Sequence, residues 1–561
     1  MGFYVTITKG HGSDALKRNH SYHLKHLILA AIVLYALYVY TSPTIGPAPD
    51  YYDGADVYSI LFPHSLTFVL SSSFGFYAMA APFVALMGHT LDVPVATSLL
   101  AGVLAIVFVY LMGVEEAGWQ AGIIAAVFYA FNPLVLAFAT RFLADPFIGM
   151  MLACAAFLLL RARRTSSAPI YFASGTVAAL SAFFGIQAGF TILMYILFVV
   201  TIAVMGGRRG KLRGMAYPIA GVVVGTLVYL LVQYAVYTNP FYTLEASSNF
   251  FTNASNYIFP DNFYFYTIFP LKYVGTLRDG TLDVYSSLGV LGVLFVACCV
   301  LFSTRLWHSL VTYALPVTFF VTYLIFGTDS FSIWEPIIQS SRFLIPVVVL
   351  LAVGSSICIS EVAKTHPRFA VAVVLGYLFA SFLYYEYTLE GYYGFTTGAT
   401  FTYIMYAVPV VVLFTSAAGL YLYTYFGKQF RTVGFALAAY LIMSLLVYQY
   451  MLAGYAARSS TGPSEIYSYR MINYVAGRLA SINTSGYAVY DDYTFPSDLC
   501  FALGAEECGG GVSNALCSKP DTVIFSGKRL CGGSYFFANL SSMQGESYYV
   551  YVYNATGRPV G

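Results

Sequence analysis

Thirteen apolar runs can be placed along this 561-residue chain, each long enough to cross the ~30 Å hydrocarbon layer of a bilayer, and they leave lipid as the solvent in which most of it must fold. In the first half they lie near 26–42, 95–112, 120–138, 144–160, 169–185, 187–206 and 215–236. The second half adds 285–303, 309–327, 343–360, 369–385, 401–424 and 433–453. Composition agrees: apolar residues make up 59% of the chain and charged residues only 9%, too few to coat a water-soluble fold of this size. A net charge of +2 offers no reason to expect a nucleic-acid partner. The expected fold class is an all-α polytopic membrane protein with a small α/β domain at its C-terminus.

The basic residues are sorted by position. Arg161, Arg163 and Arg164; Arg208, Arg209, Lys211 and Arg213; Arg305; Lys364 and Arg368; and Lys428 and Arg431 fall in every second loop. With Lys9, Lys17, Arg18 and Lys25 they place sixteen basic residues on one side, which the positive-inside rule assigns to the cytoplasm. No small-residue cleavage site follows the first run, so an uncleaved signal anchor is expected. The short opposite loops carry only Arg141, Lys272, Arg278 and Arg342. Thirteen spans from a cytoplasmic N-terminus put the C-terminus outside. The expected divisions are a cytoplasmic tail 1–25, a transmembrane domain 26–454 with external loops 43–94 and 238–284, and an external domain 455–561.

One apolar segment resists this parity. Counting 66–88, LTFVLSSSFGFYAMAAPFVALMG, as a span would move every later basic loop outside, so it reads as interfacial or re-entrant. In the alternative it spans and one of 120–138 and 144–160 does not. Glu115 and Glu116 sit uncomfortably in a loop assigned to the cytoplasm.

Beyond about residue 455 the chain turns polar, with a helical pattern at 465–480 and strand-like stretches at 487–492, 520–527 and 547–557. Cys500, Cys508, Cys517 and Cys531 form an even set on the side where disulfides persist, and three pairings are open. Their spacing lacks CxxC pairs, so a metal site is a weak reading. Cys154, Cys298, Cys299 and Cys358 lie in apolar runs and read as inert. Sequons at Asn253, Asn483, Asn539 and Asn554 all fall on the external side.

Chemistry can be sought where charge is costly. Asp50, Asp53 and Asp56 stand in the first external loop, PAPDYYDGADVYS, close to the membrane face. A solvated acidic loop is the plain alternative. Asp145, in TRFLADPFIGM, lies at the external mouth of another span, where it is either functional or a helix N-terminal charge favoured by the macrodipole. Arg141 lies four residues before it, so an (i, i+4) ion pair is a structural alternative for both. Lys272 and Arg278 can be read as snorkelling to headgroups. Arg342 opens the apolar run SRFLIPVVVLLA against the charge bias of the rest of the chain. Acids and bases together at one outer face suit a site that binds an anionic phosphate and activates a hydroxyl.

The acid-bearing first loop, the block GWQAGIIAAVFYAFNPLVLAFATRFLADPFIGMMLACAAFLLLRARR and the run SRFLIPVVVLLA together resemble the GT-C superfamily of glycosyltransferases, over roughly residues 26 to 360. The branch they look most like contains aminoarabinose transferase and the protein O-mannosyltransferases, which use sugars linked to polyprenyl phosphate. The resemblance implies a catalytic base in the first loop, at Asp53 or at Asp50 or Asp56. It implies a second acidic position at Asp145, and an Arg-aromatic-Leu-x-Pro pattern at Arg342, Phe343, Leu344 and Pro346. The family's commoner Asp-Glu pair is replaced here by DYYDGAD. Single-subunit oligosaccharyltransferases share the layout, but their WWDYG motif is missing: the tryptophans are Trp119, Trp307 and Trp334.

The expected activity is inverting transfer of a hexosyl or pentosyl group from a polyprenyl (dolichyl-type) phosphate to an acceptor hydroxyl on a protein, lipid or glycan at the outer face. An aspartate would take the acceptor proton, and Arg342 with Lys272, Arg278 and Arg141 would hold the lipid phosphate. The aromatic loop between 238 and 283 would stack on sugar faces. A divalent cation bridging the loop carboxylates is the one cofactor candidate. A transporter or lipid scramblase is the rival from another class; its coupling carboxylates would lie at the bilayer midplane, whereas these cluster at one face.

Overall fold

The structure is a computed structural model. It describes residues 27–41, 74–88, 92–139, 142–185, 188–205, 211–242, most of 291–302, 306–326, 341–368, 370–378 and 381, and in the C-terminal part 479, 487–491, 507–510, most of 516–526, 531, 536–539 and 547–553. Every structural statement below concerns these residues. They form eleven helices in chain order: α1 (Leu27–Tyr40), α2 (Phe74–Met87), α3 (Asp92–Ala117), α4 (Trp119–Ala130), α5 (Pro133–Phe138), α6 (Ala144–Thr165), α7 (Ala168–Leu180), α8 (Ala188–Met205), α9 (Lys211–Tyr237), α10 (Trp307–Phe326) and α11 (Ile345–Thr365). Further helical residues cover most of 291–302 and 370–378.

Among the described residues, five helices are long and apolar enough to cross a membrane: α3, α6, α8, α9 and α11. Other apolar helices fall on the runs at 26–42, 120–138, 169–185 and 309–327. The runs at 401–424 and 433–453 lie outside the described residues, as does the pattern at 465–480 apart from Leu479. Of the troublesome segment 66–88, residues 66–73 lie outside the described residues, and the described part is the helix α2, Phe74–Met87, 14 residues or about 21 Å.

α11 is the buried centre. Its first sixteen residues, Ile345 to Ser360, are all buried, and it packs against α3, α4, α6 and α10. Small residues let the helices approach. A Cβ on Gly175 of α7 or Gly221 of α9 would strike the Pro218 or Phe172 carbonyl, and the Thr176 hydroxyl donates to the Gly221 carbonyl at 3.3 Å. Apolar contact between helices offers little in lipid, so close backbone approach of this kind is what drives association there.

Prolines mark several starts: Pro133 of α5, Pro169 of α7 and Pro346 of α11 sit where their missing N–H has no intrahelical partner to lose. At the opposite end from Asp145, Glu115 meets Arg161 at 2.9 Å and Arg164 at 3.1 Å, and Glu116 lies 3.9 Å from Arg163. Glu115 and Glu116 thus occupy no loop: they close the last turn of α3 and partly neutralise the arginines that end α6.

The C-terminal part holds a five-stranded mixed sheet in the order β2-β1-β3-β5-β4, from β1 (Ala488–Asp491), β2 (Glu507–Gly510), β3 (Thr522–Ser526), β4 (Phe536–Asn539) and β5 (Ser547–Tyr553). β1 pairs in parallel with β2 and β3, and β5 runs antiparallel to β3 and β4. β1, β3 and β5 match the strand-like stretches of the sequence. Cys517 and Cys531 are bonded, with Cα atoms 5.6 Å apart, and cover a face formed by Ile524, Tyr551 and Tyr553. Cys508 lies on β2, and Cys500 lies outside the described residues.

Candidate functional site

The end of the bundle that carries Asp145 is organised around a broken helix. The run 120–138 is not one helix: α4 stops at Ala130, and α5 restarts at Pro133. Asn132 makes the break. Its backbone is extended, and its side-chain oxygen caps α5 by accepting from the Leu134 N–H at 3.0 Å. A helix end leaves four carbonyls without intrahelical partners, which is costly where water is scarce. All four are satisfied here. The Val127 carbonyl accepts from the Phe131 N–H, and that of Tyr129 from the Asn132 N–H, both at 3.1 Å. The Phe128 carbonyl accepts from the Tyr377 hydroxyl at 2.6 Å, and that of Ala130 from the Tyr40 hydroxyl at 2.7 Å.

Asp145 lies in the first turn of α6, the position the macrodipole favours for an acid, and is only 2% exposed. The rings of Phe142 and Phe147 flank it in sequence and join Phe76 of α2 and Phe184, the end of the turn Ser181–Phe184 after α7, in one aromatic cluster with centroids 4.7 to 5.8 Å apart. One turn below Asp145, a Cβ on Gly149 would sit 3.1 Å from Ile345, three residues past Arg342. Arg342 lies in the tight turn Ser341–Leu344 that leads into α11, and this turn packs against α5.

Three separate stretches of chain are therefore gathered at one end: the outlet of α1, the described residues of the block 132–149 (132–139 and 142–149) and the turn 341–346. These stretches adjoin or contain the positions that carry the family resemblance. Asp50, Asp53, Asp56, Lys272, Arg278 and Arg141 lie outside the described residues, as does the aromatic loop 243–283. Among the described residues, no group of three or more His, Cys, Asp or Glu is placed to hold a metal ion.

Tyr40, Asn132 and Tyr377 were not anticipated from the sequence. The Asn-Pro pair at 132–133 is a break signal that an apolar run conceals. The two tyrosines offer no such signal, because their partners lie 90 and 249 residues away.

No protein-family model matches this sequence, and no curated protein matches it. Solved structures do. The chain is similar to ArnT from Cupriavidus metallidurans bound to undecaprenyl phosphate, at 13% identity and a TM-score of 0.56, over 93% of this chain and 97% of that one. The apo state of the same protein gives a TM-score of 0.48 at 14% identity, again over 93% and 97%. An oligosaccharyltransferase of Archaeoglobus fulgidus, tethered to an acceptor peptide, gives 0.45 at 13% identity, over 86% of this chain and 63% of that one.

Proposed function

From the premise that this chain has the GT-C fold, we propose that it is a membrane glycosyltransferase that takes a sugar from a polyprenyl phosphate and transfers it, with inversion, to an acceptor hydroxyl at the outer face of a cell membrane. The observation that carries this reading is the gathering, at one end of the bundle, of buried Asp145 and the turn bearing Arg342, in a fold similar to one that holds undecaprenyl phosphate. In the proposed reaction the acceptor oxygen attacks the anomeric carbon while a first-loop aspartate, Asp53 or its neighbours Asp50 and Asp56, takes the hydroxyl proton. The bond from the anomeric carbon to the phosphate oxygen breaks, and the electron pair leaves on the lipid phosphate. Arg342, with Lys272, Arg278 and Arg141, offsets that charge. Asp145 is the second acid. The reading includes a cytoplasmic tail 1–25, a transmembrane part 26–454 and an external part 455–561.

The test is incubation of purified protein with radiolabelled polyprenyl-phosphate sugars and a membrane extract. The expected result is label moving from the lipid to an acceptor. Movement of intact labelled lipid across vesicles with no transfer would favour the scramblase alternative instead.

A further inference from the structure

We propose that Gln233 binds the sugar of the lipid-linked donor, its side-chain carbonyl oxygen accepting a hydrogen bond from a sugar hydroxyl. The proposal rests on the glycosyltransferase reading above and adds to the donor site a residue of α9.

Gln233 lies in the last turns of α9, two residues before the end of that helix's apolar span at Ala235. The helix sorts its side chains by face. Val223, Val224, Leu227, Val228, Leu231 and Tyr234 are exposed, as suits a surface turned to lipid, whereas Val222, Gly225, Tyr229 and Gln233 recur at three- and four-residue steps on the inward face. A Cβ on Gly225 would lie 2.7 Å from that of Ala179 on α7, and the Tyr229 ring meets Phe183, in the turn after α7, with centroids 5.2 Å apart. α7 and α9 thus run side by side in the same direction, and Gln233, one turn or ~6 Å beyond Tyr229, lies past the end of α7. Phe184, next to Phe183, stacks on Phe147 at 5.2 Å, and Phe147 is two residues from Asp145. The inward stripe of α9 therefore carries Gln233 to the Asp145 end of the bundle.

Packing alone does not account for an amide at that place. Gln233 is 2% exposed, yet its side-chain oxygen has no hydrogen-bond partner. Burying an amide acceptor without a donor is costly, so a position that served only to fill space would carry an apolar residue. The group that completes this oxygen must donate a hydrogen bond. An ionised phosphate is an acceptor and a polyprenyl chain has no polar hydrogen, so of the three parts of the donor only the sugar, through its hydroxyls, fits.

The test titrates polyprenyl phosphates bearing a hexose or a pentose, and bare polyprenyl phosphate, against the parental protein and Gln233→Met in nanodiscs. Methionine keeps the length and flexibility of the side chain without its oxygen. Affinity for the better-bound sugar lipid should fall about tenfold, the scale of one hydrogen bond, and affinity for bare polyprenyl phosphate should stay constant. Without ligand, the unfolding temperature should hold or rise, because the substitution removes an unsatisfied buried acceptor. Unchanged affinity for the sugar lipid, or an equal loss for the sugar lipid and the bare phosphate, overturns the proposal. A fall in unfolding temperature, or loss of the fold, shows that the amide serves packing and overturns it as well. If the parental protein binds none of these lipids, the glycosyltransferase reading falls and the proposal with it, a result distinct from a parental protein that binds the sugar lipid and a variant that binds it equally well.

Discussion

The Arg161 guanidinium meets the Glu115 carboxylate at 2.9 Å, across 46 residues of sequence, and ties the last turn of α3 to the last turns of α6. Arg164 reaches the other oxygen of the same carboxylate. The glutamate is nearly covered, whereas the two arginine side chains are 48% and 65% exposed, so solvent screening keeps each pair weak. Glu115→Gln should lower thermal stability modestly, and a double-mutant cycle with Arg161→Gln should give a coupling of about 0.5–1 kcal/mol that shrinks with added salt. A coupling indistinguishable from zero at low salt would show that the pair does nothing for stability.

Orientation is testable by labelling. A cysteine placed near Gly210, between α8 and α9, should react with an impermeant maleimide only after permeabilisation. One near Gly394 should react in intact cells. The reverse pattern would overturn the orientation.

The α7–α9 contact depends on the absence of side chains. Gly175→Ala drives a methyl into the Pro218 carbonyl, and overpacking of this kind costs about 1–3 kcal/mol. Gly189→Ala, where a Cβ meets nothing within 4 Å, is the matched control and should be near neutral. Thermal unfolding of both variants in the same detergent provides the comparison.

In the C-terminal part, alkylation before and after reduction should show about four labels that enter only after reduction, among them those on Cys517 and Cys531. Cys517→Ser should then free a single reactive thiol at Cys531. Four thiols reactive without reductant would contradict the expectation that the four external cysteines form two disulfides.

The acids and Arg342 should separate kinetically. Asp53→Asn should leave donor binding nearly intact and lower turnover by roughly a hundredfold, the usual scale for a general base. Asp50→Asn and Asp56→Asn should be milder. Arg342→Ala should weaken both donor affinity and turnover, and Arg342→Lys should restore only part, because an ammonium cannot make the bidentate fork. Single-turnover transfer and donor titration in nanodiscs distinguish these outcomes. Parental rates in all three aspartate variants would move the base assignment to Asp145.

Much of this architecture was legible in local pattern. Apolar runs of membrane length identify helices, because hydropathy depends only on neighbours along the chain. Asp145 and Arg342 stood out for the same reason: each is a charge at the edge of an apolar run. The mixed sheet was half visible. β1, β3 and β5 have strand-like composition, whereas β2, read as ECGG, has no alternation to reveal it and is a strand only because β1 supplies its hydrogen bonds.

The tertiary structure alone decided what joins distant stretches. Neither the sequence of α4 nor that of its neighbours tells that Tyr40 and Tyr377 complete its last turn, since a tyrosine in an apolar run reads as one more lipid-compatible side chain until its hydroxyl is seen on a carbonyl. Glu115 looked misplaced until α6 was folded back beside it. In each case the sequence by itself determined which segments are helices, because hydropathy and backbone self-satisfaction are local. Partner choice at their ends required the fold, because an unsatisfied carbonyl or carboxylate takes whatever group packing brings within about 3 Å.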